Sequence, residues 1–223
     1  MEGGTLILIP TEREERRLAD QGGFEPAVAR VELCGFGPIA AAARTTALIR
    51  ARRPGRVLLV GIAGAYDVGA HPPGSALEFA AVAVDGIGAG EGPSFQGPPA
   101  LGFPQWPGGA GTPPHPIEDR IPLASAGAGA APLLLTTCAA SDSPAQAAAR
   151  RARFPSAAAE DMEGFAVALA CALEGVALRV VRGISNEVGD RDPQHWRIPA
   201  ALAAARLRAL AILAEGASWG TVG

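Results

Sequence analysis

No lysine occurs anywhere in the 223 residues, and all nineteen cationic side chains are arginines. Schiff-base, lysine-nucleophile and P-loop chemistries each need an ε-amino group, so all three are excluded. Cysteine is scarce: Cys34, Cys138 and Cys171 are odd in number, far apart and set in apolar segments. That pattern argues against a disulfide framework and for buried thiols in a reducing, cytoplasmic setting. The three histidines, His71, His115 and His195, share no ligand spacing, so neither a metal nor any other cofactor is expected. No uncharged apolar run reaches the roughly twenty residues of a membrane span, and the short run after Glu2 is too brief for a signal peptide. A net charge of −3 leaves no basic footprint for nucleic acid. What remains is a chain 48% hydrophobic, enough for one domain over residues 1–223 with a sizeable core.

Apolar runs at residues 6–9, 28–34, 57–60, 76–84, 132–137 and 176–184 read as strands, separated by helical stretches. Helices are expected after Thr11, from Pro144 behind an Asp142 or Ser143 cap, from Met162 to Glu174, and from an Asp192-Pro193 cap to about Glu215. The alternation predicts an α/β fold, a three-layer sandwich with a mostly parallel mixed sheet covered on both faces. A Gly/Pro-rich loop over 86–131 interrupts it, and a loop that long is either disordered or functional. Its aromatics Phe95, Phe103 and Trp106 can cover a pocket or pack on a partner subunit.

Polar residues gather where elements end. Glu163 is expected in the first turn of its helix, where free N–H groups and the helix dipole favour an ionised carboxylate. A carboxylate of that kind is a pure acceptor, suited to two adjacent hydroxyls such as a ribose diol. Asn186 lies at the C-terminal end of a strand, the rim where open α/β sheets bind ligands. Thr11 and Glu14 spell a capping box, S/T-x-x-E, which explains Glu14 without chemistry. Gly35, Gly37 and Ala40 match G-x-G-x-x-A, but the next strand ends without the acidic residue that a dinucleotide site needs. Residues 61–65 are small enough to cap the third strand and let backbone approach a ligand, with Ile62 and Ala63 as lining residues. The apolar residues Leu59, Val60 and Ile62 offer no clamp for a dianion at that turn.

The run Glu-Asp-Met-Glu-Gly at 160–164, followed by Arg-Gly-Ile-Ser-Asn at 182–186, resembles the nucleosidase branch of the nucleoside phosphorylase superfamily. The longer run RGISNEVGDRD at 182–192 is similar to the futalosine hydrolases, as are Asp85-Gly-Ile-Gly and Leu101-Gly-Phe. The resemblance implies that Met162 packs on the sugar and that Glu163 grips its hydroxyls. It also implies a water-activating Glu after the first strand, best matched by Glu14 with Glu12 second. Ala140 and Ser141 match positions that contact the purine. Asn186 stands where the methylthioadenosine/S-adenosylhomocysteine nucleosidases carry a proton-donating Asp. An asparagine has an NH2 to offer a 6-oxopurine such as hypoxanthine, but no proton to give the leaving group. Arg182 has two readings, a substrate ligand or an ion-pair partner of Glu14 or Asp190.

The implied reaction is hydrolysis of the N-ribosidic bond of futalosine, releasing hypoxanthine and dehypoxanthine futalosine on a route to menaquinone. Phosphorolysis and adenine-specific cleavage in the same fold are the alternatives. The implied partner is a small nucleoside, held by a homodimer or higher homo-oligomer without nucleic acid or membrane. The benzoate tail of a futalosine should meet some arginine near the 86–131 loop.

Overall fold

β1 (Thr5–Ile9) is buried along its whole length, as expected of a strand inside a sheet covered by helices on both faces. In the computed structural model, which describes residues 3–110, 112–124, 132–215 and 219, β1 runs parallel to β2 (Ala29–Leu33) and β3 (Arg56–Ala65). β3 is the hub. It runs parallel to β9 (Ala177–Glu187), while at its tip Gly64 and Ala65 also pair antiparallel with Glu160 and Ala159 of β8 (Ala157–Asp161). A register shift at Ala63/Gly64 accompanies this change of neighbours, the kind of irregularity that bends a strand and re-aims its side chains. Beyond β8 lie β7 (Leu133–Thr137) and β5 (Ala81–Asp85), both parallel, then the antiparallel β6 (Arg120–Pro122). The short β4 (Ala76–Glu78) pairs antiparallel with β9.

Side-chain alternation assigns the faces. Ile7, Ile9, Leu58 and Val60 pack against α1 (Glu12–Asp20) and α6 (Ile198–Ala214) through Leu18, Leu202, Ala205 and Ile212. Leu6, Leu8, Val57 and Leu59 face α2 (Gly37–Arg52) and α5 (Gly164–Leu173) through Ala41, Leu48, Phe165 and Val167. The alanine-rich α6 lies close on β9, since a Cβ at Gly183 would collide with the backbone of Ala201. α4 (Pro144–Arg153) covers the β5–β7 end with Ala147, capped as expected by the Ser143 side chain. The fold is therefore the mixed α/β sandwich expected.

Several boundaries differ from expectation. Residues 76–84 form two strands, because the chain leaves β9 at Glu78 and joins β7 from Ala81. Ala157–Asp161 is a strand that its alanine-rich sequence conceals, alanine being a weak strand former. Gly61–Ala65 does not cap β3 but continues it. Asp192 does not cap α6, which starts five residues after Pro193 behind Arg197; its Oδ1 instead accepts the Gln194 N–H in a local turn. The 86–131 stretch holds a 3-10 turn at Gly92–Ser94, the one-turn α3 (Pro98–Leu101) and β6, while positions 111 and 125–131 lie outside the described residues. Among the described residues, no helix is long and apolar enough to cross a membrane.

Candidate active site

A cleft of about 230 Å³ opens at the ends of β1, β3, β8 and β9, lined by Glu14, Ile62, Ala63, Ala140, Ser141, Met162, Glu163 and Asn186. Each of these was expected at a site from sequence. They come from five separate stretches of chain, brought together by strands that end at the same edge. A larger cavity of about 370 Å³, between residues 112–123 and α5, is mostly apolar, and none of the carboxylates lines it.

Glu14 is buried on the first turn of α1. Thr11 caps the helix by accepting the Glu14 N–H at 3.3 Å. The carboxylate does not close the reciprocal half of the capping box. It accepts the Thr11 hydroxyl at 2.6 Å and the Ile62 N–H at 3.1 Å, which holds it against β3 and on the cleft wall. Glu12 is exposed, paired with Arg16 and away from the cleft.

Glu163 stands at the N-cap of α5, so Met162 and Glu163 precede that helix and do not open it. Its Oε1 accepts the N–H of Gly37, the first residue of α2, at 3.0 Å, and its Oε2 accepts Arg182 at 3.2 Å. The Gly-x-Gly turn thus meets the carboxylate. Gly35 and Gly37 have φ of +94° and +78°, backbone that glycine adopts without strain. The expectation of a carboxylate held ionised needs correcting. Burial pushes Glu163 up to about 7, with the charges of Asp161 and Glu14 adding to the rise against the pull of Arg182 and the Gly37 N–H.

Arg182 has no exposed surface and does not line the cleft, so it is not a substrate ligand. It lies behind the site. Nε and Nη2 both donate to Asp161 Oδ2, at 3.0 and 2.5 Å, and Nη2 also reaches Glu163. Its ion-pair partners are therefore Asp161 and Glu163, and neither Glu14 nor Asp190, the two expected. A Cβ at Gly61 would fall on Arg182 Nη1 and crowd Glu14 Oε1, so glycine there makes room for the guanidinium beside both carboxylates. Asp161 is fixed in turn by the Thr136 hydroxyl at 2.6 Å and the Gly164 N–H at 2.8 Å.

On another wall, Ser141 is spoken for. Its N–H and hydroxyl donate to Glu160 at 2.6 and 2.8 Å, and its oxygen accepts Arg150 at 2.8 Å. Tyr66 also donates to Glu160, and Arg150 goes on to Asp85. Ser141 and Ala140 are thereby left to offer the cleft mainly shape.

A model of the phosphorylase superfamily matches residues 23–216. The futalosine hydrolase of Streptomyces coelicolor is 40% identical over 76% of this chain and 72% of its own. That of Thermus thermophilus is 32% identical over 81% and 79%. The chain belongs to the phosphorylase superfamily, in its futalosine hydrolase family. Among solved structures, a Colwellia psychrerythraea methylthioadenosine/S-adenosylhomocysteine nucleosidase bound to adenine superposes with TM-score 0.74 at 20% identity, over 96% of both chains. The Helicobacter pylori futalosine hydrolase gives 0.74 at 16% identity, over 96% of this chain and 98% of its own. At those identities the likeness shows the fold.

Asn186, the only asparagine in this superfamily member, has a partly committed side chain. Its Oδ1 accepts the Ser185 hydroxyl at 2.7 Å, and its NH2 donates to the Glu187 carbonyl at 2.7 Å and the Asp190 carbonyl at 3.4 Å. The last bond is long, so one N–H is only weakly held. Sequence reasoning assigned no role to Asp161, Arg13, Arg17, Arg191 or Trp196, although the first stands inside the matched 160–164 run and the others also line the cleft. Arg13 and Arg17 flank Glu14 at helical spacing, a signal that was present in the sequence.

Proposed function

We propose that this chain hydrolyses the N-ribosidic bond of futalosine, releasing hypoxanthine and dehypoxanthine futalosine, the step that its resemblance assigns to menaquinone biosynthesis. The observation that carries the reading is the meeting of Glu14, Glu163 and Asn186 at one cleft. Glu163 accepts the ribose hydroxyls, with Met162 against the sugar. Glu14, steadied by Thr11 and the Ile62 N–H, orients a water and takes its proton as the water oxygen bonds to the anomeric carbon. The bond from that carbon to the purine breaks through an oxocarbenium-like sugar, as in glycoside hydrolysis generally, and its electron pair leaves with the base. The weakly held N–H of Asn186 turns to the purine oxygen or N7, and solvent supplies the proton that the amide lacks. Arg182 positions Glu163.

Ile62, Ala63 and Gly64 line the β3 wall without a cationic side chain, which favours water over phosphate there. The test is chromatographic: futalosine, inosine and methylthioadenosine are each incubated with and without phosphate. Hypoxanthine released from futalosine at full rate without phosphate fits the proposal; release that needs phosphate, or preferential cleavage of methylthioadenosine, sinks it. The reading takes the protein as cytoplasmic, in keeping with three free thiols, and as a homodimer or higher homo-oligomer. Phe36, Ile39 and Phe103 stay 66–86% exposed and are the apolar surface such assembly would cover. Light scattering at the mass of one chain would refute that part.

A further inference from the structure

Most arginines of this chain are answered by protein groups: Arg16 by Glu12, Arg50 by Glu174, Arg153 by Asp85. Three that line the cleft are not. Among the described residues, Arg13, Arg17 and Arg191 have no carboxylate within ion-pair distance and no side-chain hydrogen bond to the protein. Arg17 is half-buried on the cleft wall, and its Nη1 lacks a partner, as do Arg179 Nη2 and Arg182 Nη1 deeper in the protein. A cleft-lining guanidinium without a protein acceptor can take one from a ligand and recover part of its desolvation cost.

The three line one cleft, beside Glu14 on one side and Trp196 on the other. Arg13 and Arg17 are four residues apart on α1, hence on one face of the helix, on either side of the inward-pointing Glu14. Arg191 stacks 4.9 Å over the Trp196 ring, and the ring is itself anchored by its Nε1 donating to the Asp190 carbonyl at 3.2 Å. Asp190 does not neutralise Arg191, because its carboxylate is taken by His195 at 2.7 Å and the Asp192 N–H at 2.9 Å. Guanidinium forks match a carboxylate in the plane, and an indole face suits a flat apolar ring.

We propose that Arg13, Arg17 and Arg191, with the Trp196 ring, form a subsite for a carboxylate-bearing aromatic group attached at the 5′ side of the nucleoside. The 5′ placement rests on the hydrolase reading above. With ribose and base against the buried floor of Glu14, Glu163 and Asn186, the 5′ carbon is the attachment left to face the exposed Arg13 and Arg191. The arginines that answer the tail therefore flank Glu14 and follow Asn186; they do not come from the 86–131 loop. A free phosphate could meet the same cations, and the test separates the two sources.

The kcat/KM of futalosine, of its neutral tail carboxamide and of inosine is measured for the wild type, Arg13→Gln, Arg17→Gln and Arg191→Gln, with and without inorganic phosphate. The expected result is a fall of about tenfold or more in the futalosine-to-carboxamide ratio for each variant, unaffected by phosphate. Equal losses on all three substrates overturn the subsite, as does cleavage that phosphate stimulates in the wild type and not in the variants. Melting temperature checks folding, and the exposed positions 13 and 191 carry the result if Arg17→Gln is unstable. Tryptophan fluorescence under benzoate or benzamide titration reads the subsite without chemistry. Benzoate-specific quenching lost in Arg191→Gln supports it even if no nucleoside is cleaved, an outcome that would sink only the hydrolase reading. Cleavage of inosine with no response to benzoate overturns the subsite alone.

Discussion

β9 buries two arginines three residues apart, and their surroundings differ in one respect. Arg179, 2% exposed, donates to Glu78 and Glu215 at 2.6 Å each and stacks 5.3 Å over Trp219, while Glu78 also takes Arg208. Two cations face two carboxylates there, and the cluster ties β9 to β4 and the end of α6. Arg182, with no exposure, meets Asp161 and Glu163 and feels the charge of Glu14. One cation faces three carboxylates. The balanced cluster lies away from the cleft, whereas around the unbalanced one burial, helped by the charges of Asp161 and Glu14, raises Glu163 to about 7, and Glu14, Asp161 and Glu163 all line the cleft. Burial alone did not separate a structural arginine from one behind a site; the local charge count does.

The strongest way to break that comparison is to remove a carboxylate from the unbalanced cluster. Glu14→Gln should lower kcat by about 10²–10⁴, the usual worth of a general base, while the melting temperature changes little because an amide can still meet the Ile62 N–H. Stopped assays with circular dichroism check both. Retained activity would return Glu14 to the helix cap.

Next comes the pair itself. Arg182→Met strands Asp161 and Glu163 without their cation and should cost about 3–5 kcal/mol in urea unfolding, with activity lost even below the lowered melting point. Arg179→Met should cost stability too, tempered because Glu215 is 39% exposed and can reach water. The folded remainder should keep kcat/KM within about threefold, since nothing near the cleft moves. Equal activity losses in both variants would erase the distinction.

The proton on Glu163 gives a third test. Its folded pKa, about 7, is raised above the free value of 4.5, so the native state holds the extra proton and this group favours folding below the free value. That advantage is lost as pH rises through about 7. Glu163→Gln has no such proton. The stability of the wild type relative to this variant should therefore fall by roughly 2–3 kcal/mol between pH 4.5 and 8, measured by urea titration of both proteins. The wild-type kcat/KM should climb to a plateau above pH 7 as the acceptor ionises, and Glu163→Gln should be nearly inactive throughout. A flat stability difference would show that the carboxylate stays ionised.

What the sequence disclosed followed element type. Strands such as Leu6–Ile9 and 176–184 were legible because apolar runs bounded by turn residues have few other folds, and Glu163 and Asn186 stood out as polar residues where such runs end. Ala157–Asp161 was not legible. It becomes a strand only because β7 and the tip of β3 offer it partners, and its last two residues, Glu160 and Asp161, anchor two different buried networks. Asp192-Pro193 misled in the opposite direction, a good local cap signal spent on a turn. The role of Arg182 was beyond reach for a related reason: a partner 21 residues away has no signature in spacing. Charge state was less legible still, since Glu163 looked ionised until burial and its acidic neighbours were in view.

The smallest expected effect concerns Asn186, at the edge of the unbalanced cluster's cleft. Its NH2 faces the carbonyls of Glu187 and Asp190, so Asn186→Asp would set a carboxylate oxygen against carbonyl oxygen unless the acid keeps its proton. The new carboxyl should therefore titrate above the usual range. The variant should be least destabilised at low pH and lose about 1–3 kcal/mol as pH rises and the proton leaves. Protonated, the side chain can donate to N7 while accepting from a 6-amino group, which an amide held by Ser185 cannot do as well. The ratio of methylthioadenosine to inosine cleavage should rise by about tenfold, most at acidic pH. A ratio that stays constant across pH would mean that the base does not meet residue 186, and that selectivity lies with the backbone of residues 140–141 and 188–189 instead.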